Sequence, residues 1–389
     1  MGLTDRAKRV ALIGLGAIAL VGLVVWLLWS APQRPPETKP QTAVPPAPTA
    51  RSLDTPPAPA TDEKSPVVSV PMSAPAENAA AVYRKAFALL DALPKEDKVA
   101  LGDWRAQIDA DRSAQLCENV RPVLDLMHHA ATLTNCDWDI GPLTPETMHT
   151  VVLPQIEQCR TLARAVMWSA GHCRTDNPAG TVDDLLANLQ LGHNLPQSAL
   201  LGFQVETGFQ RMTVSFVAEN ASSFGGSERD RLIKMFTDAK YEDDFYHAIE
   251  QEADFANRLA QTNKYYGKYP ELTRQVADLE REYAKALAGT EDQYHAWLNR
   301  MRTAQDSNVV LKMLWPIIED AADKARAAVV QRTMVAAGLT VFQDGPEALS
   351  SYPDPATGQP FEYRETADGF QLQSAFQRDG QSVTMEIRR

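Results

Sequence analysis

The chain has 389 residues, with 38 Lys and Arg against 50 Asp and Glu, for a formal charge of −12. That balance excludes a nucleic-acid binder working through a basic footprint. Thirteen of the 26 prolines fall within residues 31–80, which takes that stretch out of any packed core and leaves residues 77–389 to fold.

Taken in chain order, residues 1–9 carry Arg6, Lys8 and Arg9 against Asp5, so the remainder of the chain carries −14. Val10–Trp29 then runs for 20 residues with no charged side chain. Twenty helical residues rise about 30 Å, the thickness of a hydrocarbon core. Trp26 and Trp29 sit at its far end, where amphipathic rings favour the interface. The preceding positive charge puts residues 1–9 in the cytoplasm and the body outside. A cleaved signal peptide is the rival reading, but it needs a shorter apolar region and a small-x-small site. Trp29-Ser30-Ala31 begins with a bulky residue, and Pro32 follows at once. Gly14-x-Gly16-x-x-Ala19 imitates a dinucleotide fingerprint, yet it lies inside the apolar span with no strand before it. Residues 30–76 read as a disordered Pro-rich tether, about 40 Å end to end as a coil.

From Glu77 the apolar residues recur at helical spacing, with Val82, Ala86, Leu89 and Leu90 on one stripe. Further helices are expected at about 112–133, 154–170, 181–195, 197–222, 227–262, 270–288, 291–304 and 308–337. Asp111, Thr181, Ser227 and Pro154 mark starts, and Gly171, Gly192, Gly225, Gly226 and Gly289 mark stops or joints. The pieces 154–170 and 181–195 look like a helix–turn–helix unit, without a fixed repeat along the chain. The body therefore reads as an antiparallel multi-helix array.

All four cysteines, Cys117, Cys136, Cys159 and Cys173, lie in one window of that array. On the oxidising side of a membrane an even count favours disulfides. Cys159 and Cys173 are 14 residues apart, about 21 Å along one helix, and cannot pair. Cys117 and Cys136 are mostly separated by helix and fail likewise. An antiparallel hairpin of helices 112–133 and 154–170 brings Cys117 to Cys173 and Cys136 to Cys159. We expect this nested pair. The rival is a zinc site from Cys136, Cys159, Cys173 and His172, but no C-x2-C spacing supports it.

Candidates for chemistry are few. Asp244-x-x-His247 and Asp292-x-x-His295 each put a carboxylate and an imidazole one helical turn apart, as helix-bundle metal sites do. Acid-rich surface helices produce the same spacing, so no metal or cofactor is assigned. His128 and His129 are adjacent on a helix and point about 100° apart, so one of them is expected to face the core. There is no H-E-x-x-H, G-x-S-x-G or phosphate-binding loop. Tyr265, Tyr266 and Tyr269, interleaved with lysines before Pro270, form a possible partner-binding stretch or an ordinary helix–helix loop. Asn220-Ala221-Ser222 is a glycosylation sequon only in a eukaryotic source.

After Leu339 the period falls to two. Strands separated by Asp368-Gly369 and Asp379-Gly380 read as a three-stranded antiparallel β-meander packed on the last helix. Phe361, Tyr363, Phe370, Leu372, Phe376, Val383, Met385 and Ile387 should line its buried face.

The run Asp354-Pro355-x-x-Gly358-x-Pro360-x-x-Tyr363-Arg364, then Gly369-Phe370-x-Leu372-x-Ser374, resembles the ending of a group of uncharacterised bacterial envelope proteins. The resemblance extends to Cys136-Asp137-Trp138, to the helix pair around Ala163–Leu195 and to Leu314-x-Pro316. It implies an anchored helical protein and carries no known activity. The ending is also similar, more distantly, to the C-terminal β-region of the major pseudopilins of type II secretion. In those, the apolar helix continues directly into the domain; here a proline-rich tether intervenes.

These readings combine into one expectation. The fold is mainly α: residues 77–340 are a helical domain and 341–389 a β-meander, preceded by a transmembrane helix at 10–29. The function is that of a membrane-tethered extracytoplasmic binding or scaffold protein without catalysis. Its partners are the lipid bilayer and an unidentified envelope protein, not nucleic acid. The alternatives are a metal-dependent helical enzyme and a pseudopilin-like assembly subunit.

Overall fold

A computed structural model describes residues 77–389 except 106–107, 142–146, 175–176, 196–199, 239–247, 250, 252–253, 255–269, 288–290, 306–308 and 379. The expected membrane span at 10–29 and the tether at 30–76 lie outside the described residues. Among those described, no helix is long and apolar enough to cross a membrane.

Ten α-helices are described: α1 Ala79–Ala92, α2 Lys95–Ala100, α3 Ala110–Ala131, α4 Leu153–His172, α5 Pro178–His193, α6 Leu200–Glu219, α7 Gly226–Asp238, α8 Pro270–Leu287, α9 Glu291–Gln305 and α10 Val309–Asp344. Residues Glu77–Arg389 form one compact unit. The mainly α reading therefore holds, with boundaries shifted by cap chemistry. Asp109, not Asp111, caps α3, because its side chain accepts from Arg112 N. Asn177 caps α5 through Gly180 N, so that helix starts three residues before Thr181. A π-helical turn, Met148–Val152, leads into α4. The short α2 was not expected, being charged nearly throughout; its Asp97 is buried and pairs with Arg112 and with Asn119 Nδ2 (2.9 Å) of α3.

The stripe on α1 is rotated from its expected position. Tyr83 and Phe87 are buried beside Val82, Ala86 and Leu90, whereas Leu89 is 40% exposed. A 100° step per residue is enough to exchange one edge of the stripe for the other. The last helix continues past residue 337 to Asp344, and the chain turns only at Gly345, whose φ is 90°. Gly338 lies inside it for a packing reason: a Cβ there would stand 2.8 Å from the Ile387 side chain.

Three strands follow: β1 Glu362–Thr366, β2 Gly369–Arg378 and β3 Gln381–Arg388, paired antiparallel in the order β1-β2-β3. Phe361, Phe370, Leu372, Phe376, Val383, Met385 and Ile387 are buried and Tyr363 half-buried, the face expected from the alternation. That face packs in one apolar cluster with Met334, Val335 and Leu339 of α10. Gly369 admits no side chain, since a Cβ would fall 2.0 Å from Ile387 O across the ladder.

The D-P-x-x-G motif has a structural role here. Asp354 is buried, takes the Ser374 hydroxyl at 2.8 Å and accepts from Ala375 N (2.8 Å) and Ala356 N (3.0 Å). One carboxylate thus ties the turn before β1 to the middle of β2.

Candidate functional site

The candidate site is a cleft of about 790 Å³ where α3 and α5 end. One wall is the segment from Cys136 to Gly141 that returns from α3; the facing side is built from Gln190 and His193–Leu195 at the end of α5.

That wall is braced from behind by α1. Asn78 caps α1, its Oδ1 accepting from Ala80 N, and the same oxygen accepts from Asp137 N at 2.9 Å. Its amide donates back to Asp137 O at 2.7 Å, and Ala79 N donates to Asn135 O at 2.8 Å. Arg84 donates to Trp138 O and stands over the indole, 5.7 Å from its centre. Tyr83 and Phe87 stack against the same ring at 5.9 and 6.0 Å. Buried aromatic contacts of this kind add about 0.5–1.5 kcal/mol each beyond area burial.

A second set of bonds joins the wall to α5. Asn194 O accepts from Trp138 Nε1 at 2.6 Å and from the Cys136 thiol at 3.5 Å. Asn194 Nδ2 donates to the Tyr83 hydroxyl at 3.2 Å, and Gln190 Nε2 donates to Asn194 Oδ1 at 3.2 Å. The tip of the wall is Asp139, with φ 51°, a left-handed conformation that Asp tolerates better than most residues. Its N–H donates to Asp137 Oδ1 at 2.9 Å. Asp137, Asp139 and His193 are exposed, with Leu133 and Ile140 half-buried between them. The lining is therefore more polar than apolar, with Asp137 and Asp139 giving its edge a negative character.

Burial pushes the Cys136 thiol up to about 11, with Asp137 adding to the rise and Arg84 opposing it. Burial likewise raises Cys159 well above the ordinary thiol value. Both thiols are mostly protonated at neutral pH, so neither is a fast nucleophile.

A buried polar centre lies deeper, at Asp184 of α5. His128 Nε2 is 2.7 Å from Asp184 Oδ1, the Ser169 hydroxyl donates to Oδ2 at 2.8 Å, and Arg174 Nε donates to Oδ2 at 3.4 Å. The three residue types of a serine hydrolase are present in the wrong order. Serine and histidine both face the carboxylate, so no imidazole withdraws the hydroxyl proton. Its role is to clamp α3, α4 and α5 together.

The sequence-predicted residues divide as follows. Cys117 and Cys173 are disulfide-bonded, with Cα atoms 5.5 Å apart. The second expected bridge is not closed in this structure: Cys136 and Cys159 are free thiols, with Cys136 donating to Asn194 O and Cys159 enclosed in the core. Asp244, His247, Tyr265, Tyr266, Tyr269 and the side chain of Asp292 lie outside the described residues. His295 is exposed on α9, its ring 5.8 Å from that of Tyr294. No group of three metal-ligating side chains occurs among the described residues. His128 is the inward histidine of its pair, while His129 meets Glu77 at the surface, 2.9 Å away.

Asn78, Asp184 and Asn194 were not picked out from the sequence. Asn78 carried a usable signal, an Asx residue just before an alanine-rich helix. Asp184 carried none: Asp183 beside it is exposed and pairs with Arg231 at 2.6 Å. Comparison of the chain with family models, curated proteins and solved structures returned no match.

Proposed function

We propose that this chain is a non-enzymatic, membrane-tethered extracytoplasmic binding protein of the bacterial envelope. Residues 10–29 would anchor it in the lipid bilayer, residues 30–76 would give it reach, and the cleft beside Trp138 would hold an envelope protein. The observation that carries this reading is the bracing of the cleft wall. The groups behind the wall are used internally, while Asp137 and Asp139 face outward on a shape that α1 holds in place. A preformed wall lowers the ordering cost of binding. Ser169 and His128, which could do hydrolytic chemistry, are both committed to Asp184. A mostly polar cleft edged by Asp137 and Asp139 suits a segment that presents Lys or Arg.

The test uses the full chain in native membranes, with a photo-crosslinking side chain at Thr134 in the cleft or at Val99, which is 71% exposed and outside it. A binding protein gives one product from position 134 and none from 99. That product weakens at high salt and in Asp137→Asn/Asp139→Asn, which removes the charge but keeps the turn. Equal capture from both positions, or none from 134, overturns the reading. Stoichiometric iron, manganese or zinc lost on substituting His247 and His295 would replace it with metal-dependent chemistry.

A further inference from the structure

Cys136 and Cys159 are the two cysteines that the staple leaves over, and the fold packs both into one apolar cluster. Cys117 and Cys173 pin the start of α3 to the end of α4 at a Cα separation of 5.5 Å. From that pin, fourteen residues along α3 reach Ala131 and fourteen back along α4 reach Cys159, about 21 Å in each case. Cys159 is thus level with the end of α3, where the chain turns through Asn135 into Cys136. Side chains confirm the neighbourhood. Tyr83 accepts from Asn194, whose carbonyl takes the Cys136 thiol, and the Tyr83 phenol feels both Cys136 and Cys159 electrostatically. All three residues pack in the same apolar cluster.

Their exposure differs in a useful way. Cys136 is half-buried and lines the cleft, whereas Cys159 is wholly buried behind it. A small disulfide arriving in the cleft meets only Cys136.

We infer that Cys136 and Cys159 are an oxidisable pair in which Cys136 takes the incoming disulfide and Cys159 resolves it, forming a bridge nested inside Cys117–Cys173. The oxidant is a low-molecular-weight or protein disulfide. In the first step the Cys136 thiolate attacks one sulfur of that disulfide, and the other leaves as a thiolate that takes up the proton Cys136 gave. In the second, Cys159 loses its proton and attacks Cys136 Sγ, expelling the oxidant's remaining half as a thiol. Two cysteine thiols are oxidised and one disulfide is reduced to two thiols.

The structure accommodates the product. Oxidation removes the bond from the Cys136 thiol to Asn194 O, but that carbonyl keeps its 2.6 Å bond from Trp138 Nε1 and is not orphaned. The new bond would tie the cleft wall to α4, so the pair couples the redox environment to the rigidity of the wall. The oxidation itself does not depend on the binding role proposed above.

The groups facing Cys136 set its rate: Tyr83 and Arg84 from α1, Cys159 from α4, Asn194 at the end of α5 and Asp137 on its own segment. With the thiol raised to about 11, the thiolate is about one part in a thousand at pH 8. Its reaction should therefore be slow and speed up about tenfold per pH unit between pH 7 and 10.

The experiment exposes the reduced-at-136 full chain in detergent to oxidised glutathione, quenches with a denaturing alkylating agent and maps peptides by mass. The expected result is a Cys136–Cys159 link beside an unchanged Cys117–Cys173 link. Cys159→Ser should accumulate glutathione on Cys136, and Cys136→Ser should leave Cys159 unmodified. Full alkylation of both thiols in the unsubstituted chain overturns the proposal, as does a Cys117–Cys136 link or glutathione on Cys159 in Cys136→Ser. The unsubstituted chain decides the matter even if a variant fails to fold.

Discussion

Replacing Cys117 and Cys173 together by alanine removes a cross-link whose ends are 56 residues apart in sequence. Chain entropy for a loop of that length, about −14 cal/mol/K, gives a stabilisation of about 4 kcal/mol at 25 °C. Both cysteines are only half-buried, so the alanines open little cavity and the loss is almost all in the unfolded state. The folded unit spans Glu77–Arg389. At about 2.1 cal/mol/K per residue its unfolding entropy is about 0.65 kcal/mol/K, so the melting temperature should fall by about 6 °C. The assay is scanning calorimetry near pH 6, where the Cys136 thiolate is too rare to scramble bonds during heating. The far-UV circular dichroism of the folded protein should not change, because the helices are held by their own hydrogen bonds and core packing rather than by the disulfide. A fall below about 2 °C, or a changed native spectrum, would refute the view that the staple acts through the unfolded chain.

Four further outcomes follow from individual side chains. Asp184→Ala strands His128, Ser169 and Arg174; since His128 and Arg174 are partly exposed and can turn to water, the cost should sit at the low end for a broken buried pair, about 3 kcal/mol by urea unfolding. Asp183→Ala, one residue earlier in an exposed pair with Arg231, should change stability by less than about 1 kcal/mol. Gly338→Ala should destabilise by about 1 kcal/mol despite the better helix former, and a double-mutant cycle with Ile387→Ala should show coupling, because the added methyl then fits. Ser374→Ala should cost about 1–2 kcal/mol by removing a donor from the buried Asp354 carboxylate, measured by the same unfolding curves.

The helices and the meander were legible because their signals are local. A 3.6-residue period, an Asx cap or a two-residue turn acts within a few positions, so Val82-x-x-x-Ala86 and Phe370-x-Leu372 announce helix and strand without knowledge of the rest. The Cys117–Cys173 bridge was legible for a related reason: two helices joined by one loop form a hairpin whose levels can be counted. Boundaries failed where competing caps lay within a few residues, as with Asp109 against Asp111.

The candidate site was mostly illegible. Its decisive contacts join residues far apart in sequence: Asn78 to Asp137 across 59 positions, His128 to Asp184 across 56, and Tyr83 to Asn194 across 111. By itself the sequence determined the element types, the strand register face and which cysteines close the staple, since each depends on short-range periodicity or on a single loop. Only the tertiary structure decided that Asp184 is buried while Asp183 is not, that Leu89 faces out and that Cys136 turns to a carbonyl. Each of these depends on how far a helix or loop is rotated about its axis, and that angle is set by whatever packs against it from elsewhere in the chain.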